Sequence, residues 1–307
     1  MTTGVFRHAD CAAHDMGGGH PESPARMQAV DRALDRIEPS ACVQFEAPLA
    51  SIEALKKIHG SDYVDRIVEA APTTGRVSLD GDTAMNAYSL AAAQRSTGAT
   101  LAAVDAVVAG TIGNAFCAVR PPGHHAESER AMGFCLFNSV AAAAAHALDE
   151  YGFERVAILD FDVHHGNGTE DIFRDESRVL FCSTYQNPLF PFPDDTSVPG
   201  RLIKTPLAAG EGREAFRRAV QRDWLPALDA YQPQLILVSA GFDAHRDDPL
   251  ANLMLDADDF AWIGEQIAGV ARQYCAGKMV ATLEGGYDLS SLTESCTAYL
   301  QTLVAHG

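Results

Sequence analysis

Short unbroken apolar runs alternate through the second two-thirds of the chain with longer stretches in which apolar positions recur every three or four residues. The runs are Ala115–Val119, Val156–Leu159, Val179–Cys182, Leu235–Val238 and Met279–Leu283, and their length and composition predict buried strands. The stretches at about 138–150, 212–230, 257–276 and 289–305 carry a helical period. Strand, helix, strand at this spacing predicts βαβ units, hence an α/β fold with helices on both faces of a mainly parallel sheet.

The first third is less regular. After an apolar start at Gly4-Val5-Phe6, the segment His14–Arg26 is a loop punctuated by glycine and proline, followed by a predicted helix from Pro24 to Ile37. His14, His20 and Arg26 are candidates for a site the loop crosses. Equally, Glu22 and Ser23 could prepare the helix start and leave Arg26 on its surface. Residues 51–71 read as two short helices broken at His59-Gly60-Ser61, and an alanine-rich helix is expected from Asn86 to Ala109. Asp82, in the acidic turn before it, is a helix cap on one reading and a substrate contact at a rim on the other.

Composition narrows the function. A chain of 307 residues with 47% apolar content and no linker-like stretch reads as one domain spanning 1–307. The net charge of −18 disfavours nucleic acid and anionic membrane surfaces as direct partners. It suits a cationic substrate such as a lysine-bearing peptide or a polyamine, although solubility alone accounts for acidity in many proteins. Seven scattered cysteines without a C-x-x-C pair imply a reducing, cytoplasmic setting. No leader-like start and no membrane-length apolar run is seen, so a soluble protein is expected.

Each predicted strand ends in polar or glycine-rich residues, which is where open parallel sheets bind ligands. If the backbone stays extended past Leu159, its period of two puts Asp160, Asp162 and His164 on one face and Phe161 and Val163 on the other. Oxygen and nitrogen donors without thiolate suit a catalytic zinc or ferrous ion. Asp243, after the strand Leu235–Val238, is the candidate third ligand, its alternative being a turn or cap aspartate. One metal is favoured over two, because only His165, Asp243 and His245 remain to supply further ligands. His124 and His125, held by Pro121-Pro122-Gly123, suit proton transfer, with Asp160 and Asn167 as candidates to fix their tautomers. Tyr287, after two glycines, could donate to a developing oxyanion or be a core tyrosine. Phe134 and the run Phe190-Pro191-Phe192-Pro193 could wall a channel or simply fill the core.

The motifs Arg120-Pro-Pro-Gly-His-His125, Gly133-Phe-Cys-Leu-Phe-Asn138, Asp160-Phe-Asp-Val-His-His-Gly-Asn-Gly168, Ser239-Ala-Gly-Phe-Asp243 and Glu284-Gly-Gly-Tyr287 occur in this order. Together with Gly19-His-Pro-Glu-Ser-Pro-Ala-Arg26 they resemble the zinc-dependent histone deacetylase family, in particular its class II-like and bacterial amidohydrolase branch. The resemblance implies a single arginase-like domain with a mostly parallel sheet of about eight strands. It implies Asp162, His164 and Asp243 as zinc ligands, with ferrous iron as the alternative metal. His125 would be the principal base and acid, His124 a partner held by Asp160, and Tyr287 the group that polarises the acyl carbonyl.

A structural potassium ion is implied at Asp160, Asp162, His164, Ser183 and Thr184, and a second cation near Phe173 and Val179. Gly133, Phe134 and Phe192 match channel walls, and Arg26 a pocket associated with acetate release. Asn167 stands where class I-like members carry aspartate. Leu250 stands where polyamine-selective members carry an acidic residue, and the rim segment Tyr185–Asp195 departs from the family pattern. The expected activity is hydrolysis of N-ε-acetyl-lysine or a related acylated amine, with acetylpolyamines or other small amides as the alternative substrates. A homo-oligomer is compatible with this reading.

Overall fold

The chain builds one central sheet whose eight strands lie side by side in the order β2-β1-β5-β10-β9-β6-β7-β8. The structure is a computed structural model and describes residues 2–307. The strands are β1 (Thr3–Arg7), β2 (Cys42–Glu46), β5 (Asn114–Cys117), β6 (Val156–Asp160), β7 (Val179–Gln186), β8 (Leu202–Leu207), β9 (Leu235–Ala240) and β10 (Met279–Leu283). Every neighbouring pair in this sheet is parallel. A separate antiparallel pair, β3 (Arg76–Ser78) and β4 (Ala84–Asn86), flanks the acidic turn that contains Asp82.

Both faces of the sheet are covered, which is why its inner strands are mostly apolar. On one face the helices Ala25–Leu34, Ala257–Tyr274 and Leu289–Ala305 pack with the segment 213–231 around Phe161, Val238 and Phe242. On the other, the helices Ser89–Val108 and Ser139–Glu150 pack on Ile158, Phe181 and Leu237. The segment expected as one helix over 212–230 is Arg213–Ala219, a wide turn at Val220–Trp224, and Leu225–Tyr231. Pro226 lacks the amide that a continuous helix would use at that point. Among the described residues no helix is long and apolar enough to cross a membrane. All seven cysteines are free, six of them buried.

Register sets the height at which each strand leaves the sheet. Asp160 pairs with Ser183 on one side and Ser239 on the other, Ser239 with Thr282, and Thr282 with Cys117. Four consecutive strands, β5, β10, β9 and β6, therefore release their following loops at nearly one level over the carboxyl edge, while β7 runs on to Gln186.

Three expectations need correction. Strand β6 ends at Asp160, so the backbone is not extended through His164. Arg26 is fully buried and not on the helix surface. Asp82 does not cap the alanine-rich helix, which starts at Ser89 without a side-chain cap; its amide donates instead to Asp80 Oδ1 at 3.0 Å.

His59 ties an outer helix to this frame. Its Nδ1–H donates to Glu127 O (2.8 Å) and its Nε2 accepts from Asn138 N–H (3.0 Å), so the ring must be neutral. Asn138 in turn caps the helix Ser139–Glu150 by accepting from Ala141 N–H at 3.0 Å. Burial lowers the His59 pKa to about 4. The unfolded value is higher, so this contribution is whole above roughly pH 6.5 and is lost as the pH falls towards 4. Between those limits the native protein should lose up to about 3 kcal/mol more stability than His59→Gln, measured by urea unfolding. Parallel pH profiles for the two proteins would contradict the assignment.

Candidate active site

Beyond β6 the chain bends through two side-chain-closed turns. Asp162 N–H donates to Asp160 Oδ1 at 3.1 Å, and His164 N–H donates to Asp162 Oδ1 at 2.9 Å. The bends keep the alternation that an extended strand would have produced: Phe161 and Val163 enter the core, while Asp160, Asp162 and His164 gather above the sheet. Asp243, three residues past β9, is drawn to the same place by accepting Val163 N–H at 2.8 Å. Gly285 N–H, past β10, donates to Asp162 Oδ2 at 2.8 Å. One donor atom from each of Asp162, His164 and Asp243 lies within 4.8 Å of the others, and all three residues are buried.

Space for these carboxylates is made by glycine. A Cβ on Gly241 would sit 2.1 Å from Asp162 Oδ2, and one on Gly285 would sit 2.1 Å from Asp243 Oδ2. His164 Nδ1 lies 3.1 Å from Asp162 Oδ1 and 3.2 Å from Asp243 Oδ2. Burial opposes a charge on this ring, but the two carboxylates outweigh it and hold its pKa near 10. Burial and the neighbouring Asp162 charge push Asp243 up. The pocket thus favours positive charge at the point where the three side chains meet.

The tandem histidines stand beside it with different partners. Glu284 Oε2 accepts the amides of Gly123 (2.6 Å) and His124 (3.2 Å), fixing the loop that carries both rings. His124 Nδ1 donates to Asp160 Oδ2 at 2.9 Å. Burial opposes its charge, but Asp160 and then Asp162 keep its pKa well above the imidazole range. His125 Nδ1 donates to Asn167 Oδ1 at 2.7 Å, and the Asn167 amide is oriented because its Nδ2 donates to Glu127 Oε1 at 2.7 Å. Burial, followed by the charges of His124 and His164, pushes His125 well below its ordinary pKa. Its Nε2 is therefore an unprotonated nitrogen, on a ring that lines the cavity described next.

A narrow cavity of about 240 Å³ leads down to these groups. Its walls are Asp82, Gly133, Phe134, Leu189, Phe190, Leu250 and Tyr287, with His125 and His164 at its lining. Gly133 and Phe134 both adopt left-handed backbone (φ 56° and 69°), and a Cβ on Gly133 would meet the His125 ring at 2.5 Å. The Phe134 ring meets Tyr287 edge-on at 5.8 Å, while Arg26 lies 4.9 Å from the centre of the Tyr287 ring. Burial raises the Tyr287 pKa well above the phenol range, so the hydroxyl keeps its proton.

Phe192 does not line the cavity and is 73% exposed. Phe192 N–H donates to Leu189 O at 2.8 Å, closing a tight turn that faces Phe190 inward, 5.1 Å from the His125 ring, and leaves Phe192 outside. Ser183 and Thr184 are buried in β7 beside Asp160, with Ser183 Oγ against His165 Nδ1 at 3.0 Å. His165 faces Glu170, 2.6 Å away, and takes no part in the triad. Val179 opens β7 at the opposite edge of the sheet.

Sequence reasoning singled out Arg26 but not the buried pair, Glu22 and Arg120, that it joins behind Tyr287. Arg26 Nε donates to Gly286 O (2.7 Å), its Nη2 to Glu284 O, and its Nη1 to Glu22 Oε1 (3.0 Å). Arg120 grips both oxygens of Glu22 and donates to Cys11 O at 2.8 Å. Burial pushes the Glu22 carboxyl up, but Arg120 and His14 outweigh it and hold it well below its usual range. In the sequence Glu22-Ser23-Pro24 is indistinguishable from an ordinary helix start.

Fold and site together define an enzyme of the parallel-sheet α/β class, with a candidate metal centre at the carboxyl edge of the sheet. A family profile described as "Histone deacetylase domain" matches residues 20–303. The "Histone deacetylase-like amidohydrolase" of Pseudomonas aeruginosa is 40% identical over 277 residues, covering 88% of this chain and 73% of that one. The "Probable deacetylase" of Archaeoglobus fulgidus is 35% identical over 298 residues, covering 94% and 82%. Among solved structures, the HDA15 HD domain superposes with a TM-score of 0.92 at 32% identity, covering 99% of this chain and 88% of that one. The chain belongs to the histone deacetylase family, has its arginase-like fold and is a hydrolase.

Replacing Gly241 by alanine should force Asp162 out of place. Zinc affinity, measured by competition with a chromophoric chelator, should fall by at least about tenfold while unfolding stays cooperative. Unchanged affinity would show that the triad does not depend on that space.

Proposed function

We propose that the protein is a zinc-dependent deacylase that hydrolyses the amide of an N-ε-acetyl-lysine side chain. The observation that carries this reading is a buried cluster of three metal-capable donors, one of which, His164, lines the same narrow cavity as the His125 imidazole and the Tyr287 phenol. Two carboxylates and one imidazole, with no thiolate, fit zinc or ferrous iron and leave coordination positions free for water and substrate. Bound by Asp162, His164 and Asp243, the metal would polarise the acyl oxygen and acidify water.

The chain's own groups supply the rest. Leu250, Phe134 and Phe190 bind the alkyl part of the side chain and exclude water around it. His125 Nε2 takes a proton from the attacking water as its oxygen bonds to the acyl carbon. Tyr287 donates its hydroxyl hydrogen bond to the acyl oxygen as negative charge develops there. His125 then returns the proton to the amine nitrogen, the C–N bond breaks, and acetate and the free amine leave. His124, charged and held by Asp160, stabilises the electron-rich site without taking the proton itself. Asp160, Asp162, His164, Ser183 and Thr184 would hold a structural potassium ion, and Arg26 would stand beside the route by which acetate departs.

Tyr287→Phe and His125→Ala should each lower kcat on an acetyl-lysine peptide by about a hundredfold or more, in protein of measured metal content. Full turnover by either variant would remove that residue from the mechanism. Acetylputrescine turned over faster than the peptide would replace acetyl-lysine with a small acylated amine, leaving the machinery as described.

A further inference from the structure

Asp248 lies at the junction of two channel walls and belongs to neither the triad nor the histidine pair. Its carboxylate is buried, with the residue only 4% exposed, yet among the described residues its oxygens bond to no side chain. Oδ2 accepts the backbone amides of Tyr287 (2.7 Å) and Asp288 (3.4 Å), while Oδ1 accepts that of Leu250 (3.0 Å). The loop after β9 is thus stapled to the loop after β10 immediately beside the phenol.

The staple matters because of what precedes Tyr287. Gly285 and Gly286 give the backbone wide freedom, and Gly286 adopts φ 119°, which side-chain-bearing residues rarely reach. Upstream, this segment is pinned by Gly285 N–H on Asp162 and by Arg26 on Gly286 O. Downstream, among the described residues the Tyr287 amide is fixed by Asp248 alone, before Asp288 caps the helix Leu289–Ala305 through Ser290 and Ser291. A buried carboxylate receiving three main-chain amides carries a large desolvation cost, which the hydrogen bonds must offset.

We propose that Asp248 is a positioning residue for the hydrolysis, holding the Tyr287 hydroxyl and the Leu250 wall in the geometry the transition state requires. This rests on the role given to Tyr287 above. Asp248 acts through the main chain and touches no reacting atom. Its loss should therefore appear in kcat, where the phenol acts, more than in KM.

The test is a double-mutant cycle on metal-replete protein. Asp248→Ala should lower kcat by about tenfold to a hundredfold. Asp248→Asn keeps the shape and one acceptor oxygen, so it should recover part of that loss. In a Tyr287→Phe background, Asp248→Ala should cost less than about twofold further, because the group it positions is already gone. If Asp248→Ala does not fold, Asp248→Asn carries the same cycle. Losses that multiply, or an Asp248→Ala enzyme with unchanged kcat, would overturn the proposal while leaving the Tyr287 role standing. Full activity in Tyr287→Phe alone would overturn both.

Discussion

Two buried carboxylates and an imidazole held within 4.8 Å of one another form the arrangement that the rest of the carboxyl edge serves. Carboxylates at that separation repel strongly once water is removed, so they stay ionised only if positive charge and hydrogen-bond donors surround them. Main-chain amides of Val163, His164 and Gly285 supply donors, and glycines at 241 and 285 supply room. A parallel sheet is suited to this because strands far apart in sequence end at a common height. Asp162, Asp243 and Gly285 come from three neighbouring strands, β6, β9 and β10, and reach one point without long loops.

Around that centre, partners decide what each ionisable group can do. Two adjacent imidazoles with ring centres 4.0 Å apart would be equivalent in isolation. A carboxylate behind His124 favours its charged form, while burial and a neutral amide partner leave His125 favouring its neutral one. Behind Tyr287 the buried cluster has two guanidiniums against the single carboxylate of Glu22, leaving positive charge beside the phenol. Asp243 in turn lies close enough to the Arg26 guanidinium to favour its charge.

Most of the framework was legible because buried parallel strands are uniformly apolar and their polar terminators stand out. The edge strands β2 and β8 were not, since Cys42–Glu46 is largely exposed and Leu202–Leu207 carries a lysine and a proline. The same limit applies inside the site. Asp160, Asp162 and His164 could be placed on one side from their spacing, although bends rather than a strand put them there. Phe190 and Phe192 are two apart in a proline-rich turn, and only the turn's hydrogen bond distinguishes the wall from the exposed ring. Glu22 and Arg120 gain their meaning from each other across 98 residues, and Asp248 from the Tyr287 amide 39 residues on, none of which any local pattern records.

The most direct measurement is anomalous X-ray diffraction from crystals of the zinc-loaded protein, which locates the metal without reference to activity. The account predicts one strong peak bonded to Asp162, His164 and Asp243, at about 2.0–2.2 Å from each donor atom. A peak at another site, or none at full zinc loading, would contradict it.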